Sequence, residues 1–231
     1  MQVYEGENPE ITDYTGLVRE RVRVLYAAAD QSAAHLIDHI DRVMVNARKI
    51  AAHFPDADLE LLTLAVLLHD VTSPFDRKAQ HVKLSMNTAR RILNGIRYPQ
   101  ERTDRVIAII SEHSTEDLKA GDLSSVEARI LFDADKIDGL GPCGIARAFA
   151  LFGQQGQAPP SALAWYRKKI ATALSNMKTD PGRQMVAERL PYVEEFLQGF
   201  EEENSMVPET ARRTGPEGGP DETAGVFPAK E

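Results

Sequence analysis

Cysteine is nearly absent from this chain, with Cys143 the one thiol in 231 residues. One thiol cannot close an intramolecular disulfide, so the fold must be held by its apolar core, as in proteins of a reducing compartment. The N-terminus has neither the basic start nor the apolar stretch of a secretory signal, and the two observations together predict a cytoplasmic protein. Long apolar runs are missing as well: Leu61 to Leu68, interrupted by Thr63, falls far below the ~20 residues needed to cross a bilayer, so no membrane span is expected. Nor is there an excess of positive charge. With 27 basic against 35 acidic residues the formal charge is −8, which disfavours nucleic-acid polymers and anionic membranes as partners while leaving room for a local basic pocket around one small phosphate.

Strand-like alternation is scarce too, and helical periodicity takes its place. It predicts helices near 15–29, 32–52, 58–70, 78–94, 101–114, 123–138, 143–152, 161–178 and 182–202, an all-α chain. Breaks fall at Phe54-Pro55-Asp56, Ser73-Pro74, Tyr98-Pro99, Gly141-Pro142, Ala158-Pro159-Pro160 and Asp180-Pro181-Gly182, where proline stops a helix or opens its first turn. The 42% hydrophobic content suffices for one sizeable core. One domain over 1–203 is expected. From Asn204 the composition turns to Pro, Gly, Glu and Thr with little to bury, predicting a disordered tail over 204–231.

Against this background a few polar residues sit where their helices should face inward. In Glu127 to Asp138 a helical period places Ile130, Leu131, Ala134, Asp135 and Asp138 on one stripe. An ionised carboxylate out of water needs a cation or several donors to meet it. The segment Asp58 to Asp70 is apolar nearly all round, predicting a buried helix that closes on His69-Asp70, where unpaired carbonyls favour a nearby cation. Upstream, His35, Asp38, His39, Arg42, Val43 and Asn46 recur at spacings of three and four along one helix. His39, His69, Asp70 and Asp135 are therefore the candidate metal ligands. Each alone also fits a blander reading, a core histidine bonded to a carbonyl or a carboxylate at a helix end; together they fit one divalent site. Two neutral imidazoles and two carboxylates offset a divalent charge and leave coordination positions open, which favours Mn²⁺, with Mg²⁺, Co²⁺, Ni²⁺ or Fe²⁺ as alternatives, over a closed structural zinc site.

The same residues resemble the HD-domain metal-dependent phosphohydrolases: a histidine, a His-Asp doublet and a distant aspartate. His39-Ile40-Asp41-Arg42-Val43 is similar to that family's first histidine motif, Leu67-Leu68-His69-Asp70 to its doublet, and Asp133-Ala134-Asp135-Lys136-Ile137-Asp138 to its closing aspartate motif. Gly139 to Phe149, Asn176 to Thr179 and Met185 to Arg189 resemble the YedJ-like subgroup. The resemblance implies an HD-type helical bundle of eight to nine helices and a nucleoside triphosphate pyrophosphohydrolase. Val71-Thr72-Ser73-Pro74 lacks the Glu-Asp that marks the guanosine-tetraphosphate hydrolases, and no Gly-Tyr-Pro occurs, so those branches are disfavoured. His35, followed by Leu36, is not carried as a functional residue.

A divalent ion can polarise a phosphoryl oxygen and lower the pKa of water. Hydrolysis of a phosphoester or phosphoanhydride in a small metabolite, most readily a nucleotide, is the expected activity. Asp70 would both bind the ion and orient the attacking water, with His113 and His81 as further catalytic candidates donating to phosphate or leaving group. Asp138, a turn beyond Asp135, reads either as a residue that orients a ligand or as a helix-end carboxylate. Arg42 is a substrate-binding candidate that could instead hold Asp38. Lys169 is a second such candidate and Arg147 a weaker one; both also read as surface charge. Trp165 and Tyr166 fit a base pocket or plain packing, and His53 a helix C-cap. Gly139-x-Gly141-x-x-Gly144 matches the dinucleotide fingerprint by letter but lacks its strand and its later acidic residue, so it reads as a helix-to-helix turn. A nucleoside monophosphatase, or a non-catalytic helical module binding metal or nucleotide, are the alternatives.

Overall fold

The computed structural model describes residues 13–28, 37–72, 80–114 and 123–206. Among these, nine helices and no strand occur: α1 (Tyr14–Ala28), α2 (Ile37–Ala51), α3 (Leu59–Leu68), α4 (His81–Gly95), α5 (Gln100–Ser111), α6 (Val126–Asp138), α7 (Pro142–Gln154), α8 (Pro159–Asn176) and α9 (Asp180–Ser205). His35, the Ser73-Pro74 break and the expected tail from 207 onward lie outside the described residues. α9 runs three residues past the predicted end at 202, because Glu201, Glu202 and Glu203 are good helix formers and nothing there breaks the backbone.

α3 is the axis of the assembly. Its run of Leu61, Leu62, Leu64, Ala65, Val66, Leu67 and Leu68 is buried on every side, and α1, α2, α4, α5 and α6 all pack on it. Asp58 starts it by accepting from the Leu61 N–H at 3.1 Å, which satisfies one of the orphan donors of the first turn. Its last turn delivers His69 and Asp70 into the centre of the molecule. α2 packs along α6 through Ile40, Val43, Ala47 and Ile50, one face at helical spacing.

α6 is buried more completely than one stripe requires, with Phe132 and Asp133 enclosed beside Ile130, Leu131 and Ala134. Asp133 is covered by the turn between α8 and α9. It accepts from the Lys178 N–H at 2.8 Å, the Thr179 N–H at 2.8 Å and the Thr179 hydroxyl at 2.6 Å. Thr179 in turn caps α9 by accepting from the Gly182 N–H at 3.0 Å. Gly141 opens α7 at φ 93°, a left-handed conformation that glycine adopts without steric cost. This is the helix-to-helix turn expected for Gly139 to Gly144.

Candidate metal centre

Four side chains from three regions of the chain converge. His39 comes from mid-α2, His69 and Asp70 from the end of α3, and Asp135 from the last turn of α6. His39 Nε2 lies 3.8 Å from Asp70 Oδ2 and 3.4 Å from Asp135 Oδ1. His69 Nε2 lies 3.6 Å from the same Asp70 oxygen and 4.0 Å from the same Asp135 oxygen. Bonds of about 2.1 Å to one ion place neighbouring donors roughly 3 to 3.5 Å apart and leave opposite donors farther. All four distances fit donors grouped around a single cation.

The hydrogen bonds behind the imidazoles decide which nitrogen is presented. His69 Nδ1 is 2.9 Å from the Val66 carbonyl, an acceptor, so Nδ1 carries the proton and Nε2 offers a lone pair. His39 Nδ1 is 2.7 Å from Asp138 Oδ2, with the same result. Both Nε2 atoms are buried without a hydrogen-bond partner. Two orphaned lone pairs facing two carboxylates, in a protein interior, are what a divalent cation satisfies and a purely structural core would avoid.

Electrostatics keep the donors in the metal-binding protonation state. Burial pushes the His69 imidazole down to about 4, outweighing the pull of Asp70. Burial works against the charged carboxylates of Asp70 and Asp135, yet His69, His113 and His39 hold Asp70 well below the usual range, and Lys136 with His39 and His69 does so for Asp135. Lys136 Nζ donates to Asp135 Oδ2 at 2.6 Å and to the His113 carbonyl at 3.0 Å. Asp70 and Asp135 retain 12% and 16% side-chain exposure while His69 has none. The site therefore opens to solvent on its carboxylate side.

Asp138 is the anchor behind His39. Its carboxylate also accepts from Arg42 Nε at 2.6 Å and from Arg147, and these partners overcome burial to hold its pKa at about 2. Asp138 is therefore more than a helix-end carboxylate: it is bonded to the His39 ring and fixes its orientation. Arg42 spends Nε on Asp138 and Nη1 on Asp38, the latter at 2.5 Å. Arg147 and Lys169 are not surface charges, a correction to the sequence reading. Arg147 reaches from α7, which packs on α8, to the Asp138 carboxylate at the end of α6. Lys169 is pressed against Gly139, whose missing side chain would stand 3.2 Å from Lys169 Cε. Burial, joined by Arg147, lowers the Lys169 ammonium to about 8.

A second group lies beside the first: Asp70, His81 and His113 bring their donor atoms within 4.8 Å of one another. His113 Nε2 is 3.3 Å from Asp70 Oδ1, and its Nδ1 is 2.7 Å from the Ile110 carbonyl. Burial disfavours charge on His113, but the bond to Asp70 prevails and its pKa is raised. Tyr166 is core, donating to the Gly139 carbonyl at 3.0 Å, and Trp165 stacks against Phe152, so packing accounts for both. Sequence reasoning missed Tyr26, whose hydroxyl donates to the Asp70 carbonyl at 2.8 Å; its place on the Val18, Val22, Tyr26 face of α1 was the available signal. It also missed Arg189, which donates to the Ile137 carbonyl at 2.5 Å and to Asn46 Oδ1 at 3.0 Å, tying α9 to α6 and α2.

The family model for the HD domain matches residues 36–140, the span that carries His39, His69, Asp70 and Asp135. An uncharacterized Bacillus subtilis protein, YpgQ, is 31% identical over 183 residues, covering 75% of this chain and 86% of its own length. The chain belongs to the HD-domain family. HD proteins of this kind are metal-dependent phosphohydrolases, and the buried group of His39, His69 and Asp70, with donor atoms within 4.8 Å of one another, could hold the metal that class requires. The crystal structure of YpgQ in complex with ADP superimposes with a TM-score of 0.65 at 28% identity, covering 82% of this HD-domain chain and 97% of that one. A predicted HD superfamily hydrolase from an uncultured Thermotogales bacterium superimposes with a TM-score of 0.58 at 27% identity, covering 80% and 90%. A Lactobacillus plantarum structure, at 24% identity and a TM-score of 0.69, shares the fold over 84% of this chain and 98% of its own. Among the described residues no helix is long and apolar enough to cross a membrane.

Proposed function

We propose that this chain hydrolyses the phosphoanhydride of a nucleotide, as a nucleoside triphosphate pyrophosphohydrolase, with His39, His69, Asp70 and Asp135 holding a divalent ion and Mn²⁺ as its first choice. The observation that carries the reading is the pair of buried, partnerless Nε2 atoms facing two partly exposed carboxylates. When bound, the ion supplies Lewis-acid polarisation of a phosphoryl oxygen and activation of water. ADP in the YpgQ structure, together with the YedJ-like motifs, supports a nucleotide as substrate.

The chain's own residues do the rest. Asp70 spans both groups, turning Oδ2 to the two ligand imidazoles and Oδ1 to His113. It can accept a proton from the attacking water and share it with His113 Nε2, the ring nitrogen left free by the Ile110 bond. A protonated His113, with His81 beside it, can donate to a phosphate oxygen or to the leaving group. Arg42 holds Asp138 and Asp38 and offers its remaining N–H donors to a phosphate. Purified protein incubated with Mn²⁺ and a panel of nucleotides, as wild type and as Asp70→Ala, tests the reading. Pyrophosphate release that requires both the metal and Asp70 is expected. Release of orthophosphate and nucleoside would mean a monophosphatase, and nucleotide recovered intact from fully metal-loaded protein would mean a binding module.

A further inference from the structure

Lys169 is a cation beside the metal centre that meets no hydrogen-bond acceptor among the described residues. Arg42 and Arg147 meet Asp138, and Lys136 meets Asp135. Lys169 sits among Asp135, Lys136, Asp138 and Arg147, close enough to feel all four. Yet among the described residues it has no hydrogen-bond acceptor and no carboxylate within 4.0 Å; it lies over the Trp165 ring, whose centroid is 5.1 Å from Nζ. The stem lies across Gly139, the residue after Asp138, with Cε and Nζ 3.2 and 3.4 Å from where a Cβ would stand. A side chain at 139 would take the space this lysine uses. An ammonium drawn out of water with no acceptor in hydrogen-bond reach, two cations near it and its nearest carboxylates beyond 4.0 Å is unfavourable unless an anion completes it. Lysine binds phosphate well as a compact point charge.

We infer that Lys169, steadied by Trp165 and admitted by Gly139, is the anchor for a phosphate of a nucleoside polyphosphate other than the one held at the metal, and so sets the site's preference for polyphosphate over monophosphate. Because Lys169 is bonded to neither Asp135 nor Asp138, its donors are available to a phosphate other than the one beside those carboxylates. α8, which carries it, lies outside the 36–140 span of the HD domain match. Selectivity by phosphate number is thus supplied by the helices that follow the HD core. The inference rests on the nucleotide reading above but not on turnover.

Two measurements on the full-length, Mn²⁺-loaded protein test it, each on wild type, Lys169→Met and Lys169→Arg. The first is calorimetric binding of inorganic tripolyphosphate against orthophosphate. Loss of the ammonium should weaken tripolyphosphate by about 10- to 100-fold, as for a charged partner removed from a desolvated pair, and orthophosphate far less, with Lys169→Arg recovering most of the loss. The second is KM and kcat for matched nucleoside mono-, di- and triphosphates, where Lys169→Met should raise KM for the triphosphate at least tenfold more than for the monophosphate. Equal losses for all anions, or no loss for tripolyphosphate in a folded Lys169→Met protein, would overturn the inference. If the wild type binds tripolyphosphate through Lys169 yet turns over no nucleotide, the proposed activity fails and the anchor stands.

Discussion

Asp138 Oδ2 lies 2.7 Å from His39 Nδ1, linking the last residue of α6 to the middle of α2. This bond fixes the tautomer that leaves His39 Nε2 bare and holds the ring so that its lone pair faces the centre. Arg42 and Arg147 converge on the same carboxylate, which keeps it ionised under conditions that protonate ordinary carboxylates. In the sequence pattern Asp135-x-x-Asp138 the two carboxylates thus stand on opposite sides of His39, Asp135 facing Nε2 and Asp138 bonded to Nδ1.

Replacing Asp138 with Asn keeps the shape but removes the charge. His39 would lose its fixed tautomer, and Mn²⁺ affinity should fall by about 10- to 100-fold. Titration of metal-free protein with Mn²⁺ reads this directly, and an unchanged dissociation constant would show that His39 is aimed by packing alone. Two guanidinium groups would also lose their shared counter-charge, so the melting temperature should drop with the affinity.

The buried His69 predicts a pH dependence for the metal-free protein. Its folded pKa of about 4 lies below the ordinary histidine value of 6.5, so in acid the unfolded chain takes up a proton that the native state refuses. Stability is then lost as pH falls from about 6.5 to about 4, by roughly 3 kcal/mol in total. His113 does not cancel this. Its pKa is raised, so its contribution is complete below 6.5 and is lost only as pH rises through its folded value. Asp138, near 2 when folded, adds a further loss only below about 4. Urea midpoints of chelator-treated protein between pH 7 and 4 should therefore decline, and His69→Gln should flatten the slope. A parallel decline in the variant would assign the effect elsewhere.

Much of this centre was legible before any coordinates. The all-round apolar run of α3 announced a buried helix, and a His-Asp pair closing such a helix had to be explained by a partner. The inward stripe of α6 located Asp135. What could not be read was whatever depends on the path of the chain between distant segments. Arg147 and Lys169 look like surface charges because nothing within α7 or α8 shows that these helices pack against the end of α6. Asp133 lies off the stripe of Ile130, Leu131, Ala134, Asp135 and Asp138, and nothing local shows that the Lys178-Thr179 turn, 45 residues away, folds over it and supplies three donors. Tyr26 reaches Asp70 across 44 positions, a contact no local period reports.

That Tyr26 contact carries its own expectation. Tyr26→Phe leaves the Asp70 carbonyl without its donor while keeping the ring in the core, which should cost about 1 kcal/mol of stability. Because the carbonyl belongs to a ligand residue, kcat with any accepted substrate should fall as well. Denaturant unfolding and steady-state kinetics separate the two effects. A stability loss with kinetics untouched would limit Tyr26 to a packing role.

The latch over Asp133 is a structural prediction independent of the metal. Asp133 is fully buried, and burial raises its pKa despite three hydrogen bonds from Lys178 and Thr179, so it depends on every one of those donors. Thr179→Val removes the hydroxyl that both donates to Asp133 and caps Gly182, at a cost of about 1 to 3 kcal/mol. Gly182→Ala should be at least as damaging, since a Cβ there would run into the Asp133 carboxylate and the Thr179 hydroxyl, and a buried site gives little room to relax. Both variants should unfold at lower temperature while binding Mn²⁺ as tightly as wild type in the folded state, because none of the four ligands touches the α8–α9 turn. Metal affinity falling in step with stability would instead mean that the latch positions α6, and with it Asp135.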